Sequence, residues 1–383
     1  MADSVFKSAT GDLGELSTKN RPLGTANTVL GRPDPGADHA AIHQMRLTEI
    51  DRAKGLAIIL VVLGHFADAD TMHFVPTWYF HFKRIIYSFH MPFFMFLSGV
   101  VVSYTLPEFS HLRDWANFVK KNFVRLMLPF FIFAIIVLIG KIILQDILYI
   151  DHPVQKPLNL ILNIVILPAD GPSAFIWYLY VLFEFCCICP VLLWVFNQNL
   201  WSVLLLSFAM YLIGINIKMP DFFGIDLMFR LFLFFVLGGL FIKYYTVLSE
   251  AIDNYFFLFL GLFCITLFLY SFFYVPRILT GLIAIPACLS ISKIWNSKLL
   301  SLCGKYCLAI YLMHMIFIGL TKGMVLRLFN LSESSYTALF VVTSIIGICL
   351  PIFIYAFLFR YLGGSLIFRM LFGKVNSNPQ CTM

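Results

Sequence analysis

Long apolar blocks alternate with short polar breaks along this chain, and the length of the blocks is the first informative quantity. A helix rises about 1.5 Å per residue, so about 20 apolar residues cross the roughly 30 Å hydrocarbon layer of a bilayer. Ten blocks approach that length, over residues 53–70, 85–106, 123–145, 174–196, 201–217, 226–244, 255–275, 277–294, 305–325 and 337–361. The pattern predicts an all-α, polytopic integral membrane protein with about ten transmembrane helices. The break between the seventh and eighth blocks is the least marked, because only Pro276 and Arg277 interrupt an apolar run. The first 40 residues are polar, lack an apolar core and hold Gly31, Pro33, Pro35 and Gly36. Such a segment reads as a flexible cytoplasmic tail and not as a signal peptide or folded domain. The expected organisation is therefore a tail over 1–45, a transmembrane domain over 46–365 and a short cytoplasmic tail over 366–383. No internal repeat or low-complexity tract is visible.

Composition strengthens the membrane reading. Of 383 residues, 60% are hydrophobic and 12% charged, against about 45–50% apolar and about 25% charged in soluble domains. The 42 phenylalanines would leave a soluble chain with aggregating surface patches. The net charge of +7 lies mostly in the tails and a few loops, as the positive-inside bias produces, and gives no reason to expect nucleic acid. The second loop carries Arg113, Lys120 and Lys121, the eighth Lys293 and Lys298, and the C-terminal tail Arg369 and Lys374. The third loop instead holds Asp146, Asp151 and Asp170 against Lys156. Both termini are then expected in the cytoplasm, with the protein in the inner or plasma membrane. Most of the nine cysteines, such as Cys186, Cys189 and Cys288, sit in apolar runs and read as small hydrophobes.

Ionisable groups inside a bilayer cost about 2.5–3.5 kcal/mol at a helix centre, so each is a functional candidate. The first apolar block opens with Asp51 and Lys54 and runs on to His65. Eleven residues separate Lys54 from His65, which returns to within about 20° of the same helical face roughly 16 Å further along. A cation at an entrance can hold phosphate groups, and a deeper imidazole can accept a hydroxyl proton. The bland alternative is an interfacial Asp51–Lys54 pair and a packed polar His65. In the second block His90 precedes Pro92, which frees a backbone carbonyl, and Gly99 permits close helix approach, as in a helix that lines a cavity. Glu184 and His314 each lie about 15 Å into their blocks by helical rise, near the midplane. Three histidines and a glutamate at related depth suggest one polar cavity. No two ligands have metal spacing on one helix, so no metal is expected. Arg125 could contact a phosphate or only snorkel to a headgroup, and Arg230 could meet an acidic sugar or pair with Asp226. His81 is a minor further candidate, whereas His43, His73, His111 and His152 fall in tail or loops and are assigned nothing. Ten helices with buried His and Glu also describe a proton-coupled carrier or flippase, and that alternative stays open on these residues alone.

The string from Ile50 through Asp51, Lys54 and Gly55 to Gly64 and His65 resembles the opening motif of the membrane acyltransferase type 3 family, and more closely its fucose 4-O-acetylase-like branch. Lys54 stands where the broader family has Arg, which keeps the charge and loses the bidentate fork. Ser88 to Gly99, Trp177 to Glu184, and Tyr311 to His314 follow in the family's order. The resemblance implies an acyl-CoA donor, acetyl-CoA in this branch, reaching the protein from the cytoplasm. It implies as acceptor a carbohydrate or glycolipid such as a surface polysaccharide, lipopolysaccharide, capsule or lipo-oligosaccharide sugar, met at the membrane lipid. On this reading Lys54 and Arg125 hold the donor, His65 deprotonates the acceptor hydroxyl or carries the acyl group, and Asp51, His90, Glu184 and His314 orient or polarise these groups.

Overall fold

A computed structural model describes residues 35–67, 76–106, 111–150, 157–171, 173–273, 275–329 and 331–373. The tail over 1–34, the last ten positions, and His73, Asp151, His152 and Lys156 lie outside the described residues. The chain divides into two units, Met1–His43 and Gln44–Met383. Of the first, only the helical backbone of residues 35–43 is described.

The described residues are 85% helical and contain no strand. In chain order the helices are α1 Pro35–Gly64, α2 Thr77–Tyr87, α3 His90–Thr105, α4 Leu112–Asn122, α5 Leu128–Leu144, α6 Pro157–Ile166, α7 Trp177–Val195 and α8 Leu200–Asn216. They continue as α9 Ile225–Lys243, α10 Tyr245–Asn254, α11 Phe256–Phe272, α12 Arg277–Ile294, α13 Lys298–Lys305, α14 Cys307–Leu328, α15 Glu333–Leu362 and α16 Leu366–Phe372. A π-helical turn, Phe123–Met127, joins α4 to α5 without a break.

Seven helical stretches among the described residues are long and apolar enough to cross a membrane, or eight if the pair α10 and α11, bent by 75°, forms one span. The expected count of ten is corrected accordingly. The block at 201–217 becomes α8, whose 17 residues cover only about 26 Å by helical rise. The block at 53–70 ends early, at Gly64, because side chains capture the chain there. The indistinct break near 276 is a real turn between Phe272 and Arg277. Large apolar side chains such as Phe257, Phe268 and Phe272 of α11 stand on the outer surface, the reverse of a soluble helix and what a lipid solvent favours.

Glycines set the closest helix crossings. A Cβ on Gly99 of α3 would overlap the Phe235 carbonyl of α9, and one on Gly238 of α9 would overlap the Phe96 carbonyl of α3. Likewise a Cβ on Gly55 would meet the Leu300 carbonyl of α13, and one on Gly304 the Asp51 carbonyl of α1. Small residues let backbones touch where lipid supplies no hydrophobic drive between helices. These crossings join α3 to α9 and α1 to α13.

Candidate active site

The end of α1 is a side-chain-capped terminus. The last carbonyls of a helix lack partners along the chain, and here the Tyr79 hydroxyl donates towards Gly64 O at 3.0 Å and Leu63 O at 3.2 Å. It also accepts from the Phe66 amide at 3.0 Å. Two cations complete the cap: Lys322 Nζ donates to Phe66 O at 3.2 Å and Lys83 Nζ to Ala67 O at 2.8 Å. Positive charge at a helix C-terminus is also favoured by the helix dipole. Lys322 is only 2% exposed and Tyr79 is fully buried. The result is a fixed turn with His65 at its start, immediately past the helix.

A second break lies opposite. α2 ends at Tyr87 and α3 starts at His90, so the span over Thr77–Thr105 is discontinuous at Ser88 and Phe89. Pro92 tolerates this because the first turn of a helix needs no amide donor. The carbonyls released are recovered by side chains: Ser88 Oγ donates to Ile85 O at 2.7 Å, and Thr280 Oγ1 of α12 to Ser88 O at 3.0 Å. His90 Nδ1 takes Ile86 O at 2.9 Å. Irregular backbone at membrane depth survives where it is satisfied in this way and lines a cavity.

Both breaks face one cavity of about 850 Å³, which His65 and His90 line together with Tyr87, Trp177 and Tyr311. The rings of His65 and His314 lie 5.3 Å apart, and those of Tyr87 and His90 4.7 Å apart. Tyr87 Oη is 3.4 Å from His65 Nδ1. His314 is fully buried, with Nδ1 at 2.8 Å from Tyr311 O and 3.1 Å from Ile310 O. A carbonyl only accepts, so Nδ1 carries the hydrogen in the neutral rings of both His90 and His314, and Nε2 is left as the basic nitrogen. His314 Nε2 is buried without a hydrogen-bond partner among the described residues. The three sequence-predicted histidines thus meet, with two of them on the cavity wall and the third behind.

The remaining candidates lie elsewhere. Asp51 and Lys54 form an ion pair of 2.6 Å at the other end of α1, with the Lys54 side chain buried, roughly 16–21 Å from His65 by helical rise. Arg125 sits in the π-helical turn and borders a small cavity with Ser98, Tyr178 and Leu308. Such turns reorient side chains within a helix and recur at functional sites. Tyr178 hydrogen-bonds Ser98, and its ring lies 5.4 Å from that of Tyr311. Tyr178 borders the small cavity and Tyr311 the large one. Glu184 does not line the histidine cavity. It is half-buried, its Oε2 has no partner among the described residues, and a Cβ on Gly224 would lie 3.7 Å from that atom. Arg230 pairs with Asp226 at 2.8 Å and also lines the large cavity. His81 is exposed and is not part of the cavity wall.

Sequence reasoning missed Tyr79, Lys83, Lys322 and Tyr87. Lys322 carried a signal, being an ionisable group inside an apolar block. Tyr79 and Tyr87 carried none, since nothing local marks a tyrosine as a cap.

Fold and interior together define a polytopic helical membrane protein with a histidine-bearing cavity reached past a broken span. The type 3 family, described as an acyltransferase domain, matches residues 47–356, and this chain belongs to it as an integral membrane acyltransferase. No curated protein and no solved structure matches the chain. The matched range contains Asp51, Lys54, His65, His90, Arg125, Glu184 and His314.

Proposed function

We propose that this acyltransferase moves acetyl from acetyl-CoA to a sugar hydroxyl of a surface glycan or glycolipid, with His65 as the base. The observation that carries the reading is the cavity itself. Cavities of about 300–1,000 Å³ lined by aromatic rings with a few polar groups suit small organic ligands, and this one offers Trp177, Tyr211 and Tyr270 as flat faces for a sugar ring. The Lys54 in place of Arg supports the fucose 4-O-acetylase-like branch.

In the proposed step, the His65 imidazole takes the proton of the acceptor hydroxyl as its oxygen attacks the thioester carbonyl. The C–O bond forms, the C–S bond breaks, and the departing thiolate takes the proton back from the imidazolium. His314 backs the His65 ring, and Tyr87 orients it. The donor enters from the cytoplasm at the Asp51–Lys54 and Arg125 end, where these cations hold phosphates. Its acyl end reaches His65 past the adjoining rings of Tyr178 and Tyr311. Glu184 lies outside the cavity and does not itself meet the acceptor in this step.

Mass and NMR analysis of cell-surface glycans tests this. With His65→Ala, ester-linked acetyl should fall by about 10²–10⁴-fold in rate, the usual worth of a general base, while the glycan itself persists. Loss of the whole glycan would indicate a carrier instead. Label retained on the protein after incubation with acetyl-labelled donor alone would replace direct transfer by an acetyl-histidine route.

A further inference from the structure

The mouth of the large cavity carries three guanidinium groups that the transfer step does not use. Arg84 comes from α2, Arg230 from the second turn of α9 and Arg277 from the first residue of α12, and all three line the cavity with His65. None of the described lining residues is Asp or Glu. Arg230 is anchored by Asp226 at 2.8 Å. Arg84 lies 5.3 Å over the Tyr270 ring and donates to Tyr270 O at 3.4 Å. Three cations from three separate elements therefore line one cavity, and among the described residues only Arg230 of the three pairs with a carboxylate.

Ordinary snorkelling would distribute such side chains over the convex rim of the bundle, where headgroups lie. Their placement also runs against the charge bias. These arginines sit at the end of the bundle away from Lys293, Lys298 and the Asp51–Lys54 pair, which is the end that positive-inside sorting depletes of cations. A guanidinium presents a planar fork of donors that fits carboxylate and phosphate oxygens in pairs. The cavity has room for a sugar between that fork and His65.

We infer that the acceptor is anionic: a carboxylate-bearing sugar or a phosphate-linked glycan, whose charge is clasped by Arg84, Arg230 and Arg277 so that a neighbouring hydroxyl meets His65. The inference rests on the acyl-transfer reading above. The net cationic charge of the mouth then both concentrates the acceptor and fixes its register.

The test uses the full chain in phosphatidylcholine nanodiscs with labelled acetyl-CoA and three matched acceptors: an alkyl glucoside, the alkyl glucuronide and the alkyl glucosyl phosphate. The charged acceptors should have kcat/KM at least about tenfold above the glucoside, and the better of the two identifies the carboxylate or the phosphate source. Arg277→Gln and Arg84→Gln should each reduce the ratio of charged to neutral kcat/KM by about tenfold to hundredfold, mainly through KM, as expected for a lost charge-assisted contact. Arg277→Lys should restore part of the ratio. A glucoside used as well as the charged acceptors, or a ratio unmoved by these changes, overturns the anionic acceptor and leaves acyl transfer standing. If wild type transfers to no acceptor, the acyl-transfer reading fails, and thermal stabilisation by the same compounds decides the inference separately. Stabilisation by glucuronide or glucosyl phosphate that is lost in Arg277→Gln upholds it. Stabilisation by phosphatidylglycerol alone assigns the arginines to lipid headgroups and overturns it.

Discussion

At the scale of single residues, the informative feature is how little holds His65 in place, with Tyr79 and Lys322 of that little buried. One tyrosine hydroxyl serves the last carbonyls of α1 and the Phe66 amide together, and two lysines take the Phe66 and Ala67 carbonyls. Removing a buried partner exposes the full desolvation cost of the group left behind, about 1–3 kcal/mol. Tyr79→Phe should therefore lower the thermal midpoint of the purified protein by a few degrees and cut turnover while His65 is still present. An unchanged midpoint and unchanged turnover would show that the cap does not position the base. Lys322→Met should act in the same direction, with kcat falling more than KM rises, because Phe66 O and not the substrate is its partner. His314 poses a different question. Its Nδ1 is committed to backbone and its Nε2 has no described partner, so His314→Gln, which keeps a polar side chain, should retain more activity than His314→Leu if its role is to orient the His65 ring.

At the scale of elements, the two breaks and the glycine crossings determine each other. Gly99 and Gly238 bring α3 against α9 backbone to backbone, and that proximity places the start of α3, with His90, beside the first turns of α12. Thr280 can then cap Ser88. Gly99→Leu would force the crossing apart. An overpacking cost of about 1–3 kcal/mol follows from buried contacts of this kind, and the expected readout is poor yield or a lowered unfolding midpoint in detergent. Thr280→Val keeps shape and removes only the hydroxyl, so its effect should appear in acyl transfer more than in folding. Equal loss of both would mean that the break is structural only. The π-helical turn carrying Arg125 belongs to the same level, since an extra residue in one helical turn changes which face that side chain occupies without ending the helix.

For the whole molecule, the histidine cavity lies at the C-terminal end of α1 and the Asp51–Lys54 pair about three turns back along it. The histidine cavity opens near Phe273 and Arg277, whereas Trp295 at the far end of α12 lies by the cation-rich loop to α13. The orientation expected from the loop charges puts both termini in the cytoplasm; on it, Phe273→Cys should react with an impermeant maleimide added to intact cells, and Trp295→Cys only after permeabilisation. The reverse pattern would invert the orientation and move the acceptor to the cytoplasm.

Composition and block length by themselves determined the solvent, the all-helical class and the presence of several spans, because burying apolar residues and satisfying backbone polar groups in lipid admits few solutions. Spacing on α1 puts Lys54 and His65 about three turns apart, since helical rise is a local quantity. The meeting of His65, His90 and His314 was only suggested by equal depth along the chain, and Glu184 at a similar depth does not join them. Depth counts along each helix, whereas rotation and crossing distance are decided by contacts between helices. Those contacts lie in Gly99 against Phe235, Gly304 against Asp51, and Tyr79 at the end of α1. The early end of the first apolar block has the same origin. Apolar residues alone would let a helix continue beyond Gly64, and what stops it is a hydroxyl and two ammonium groups from elsewhere in the chain.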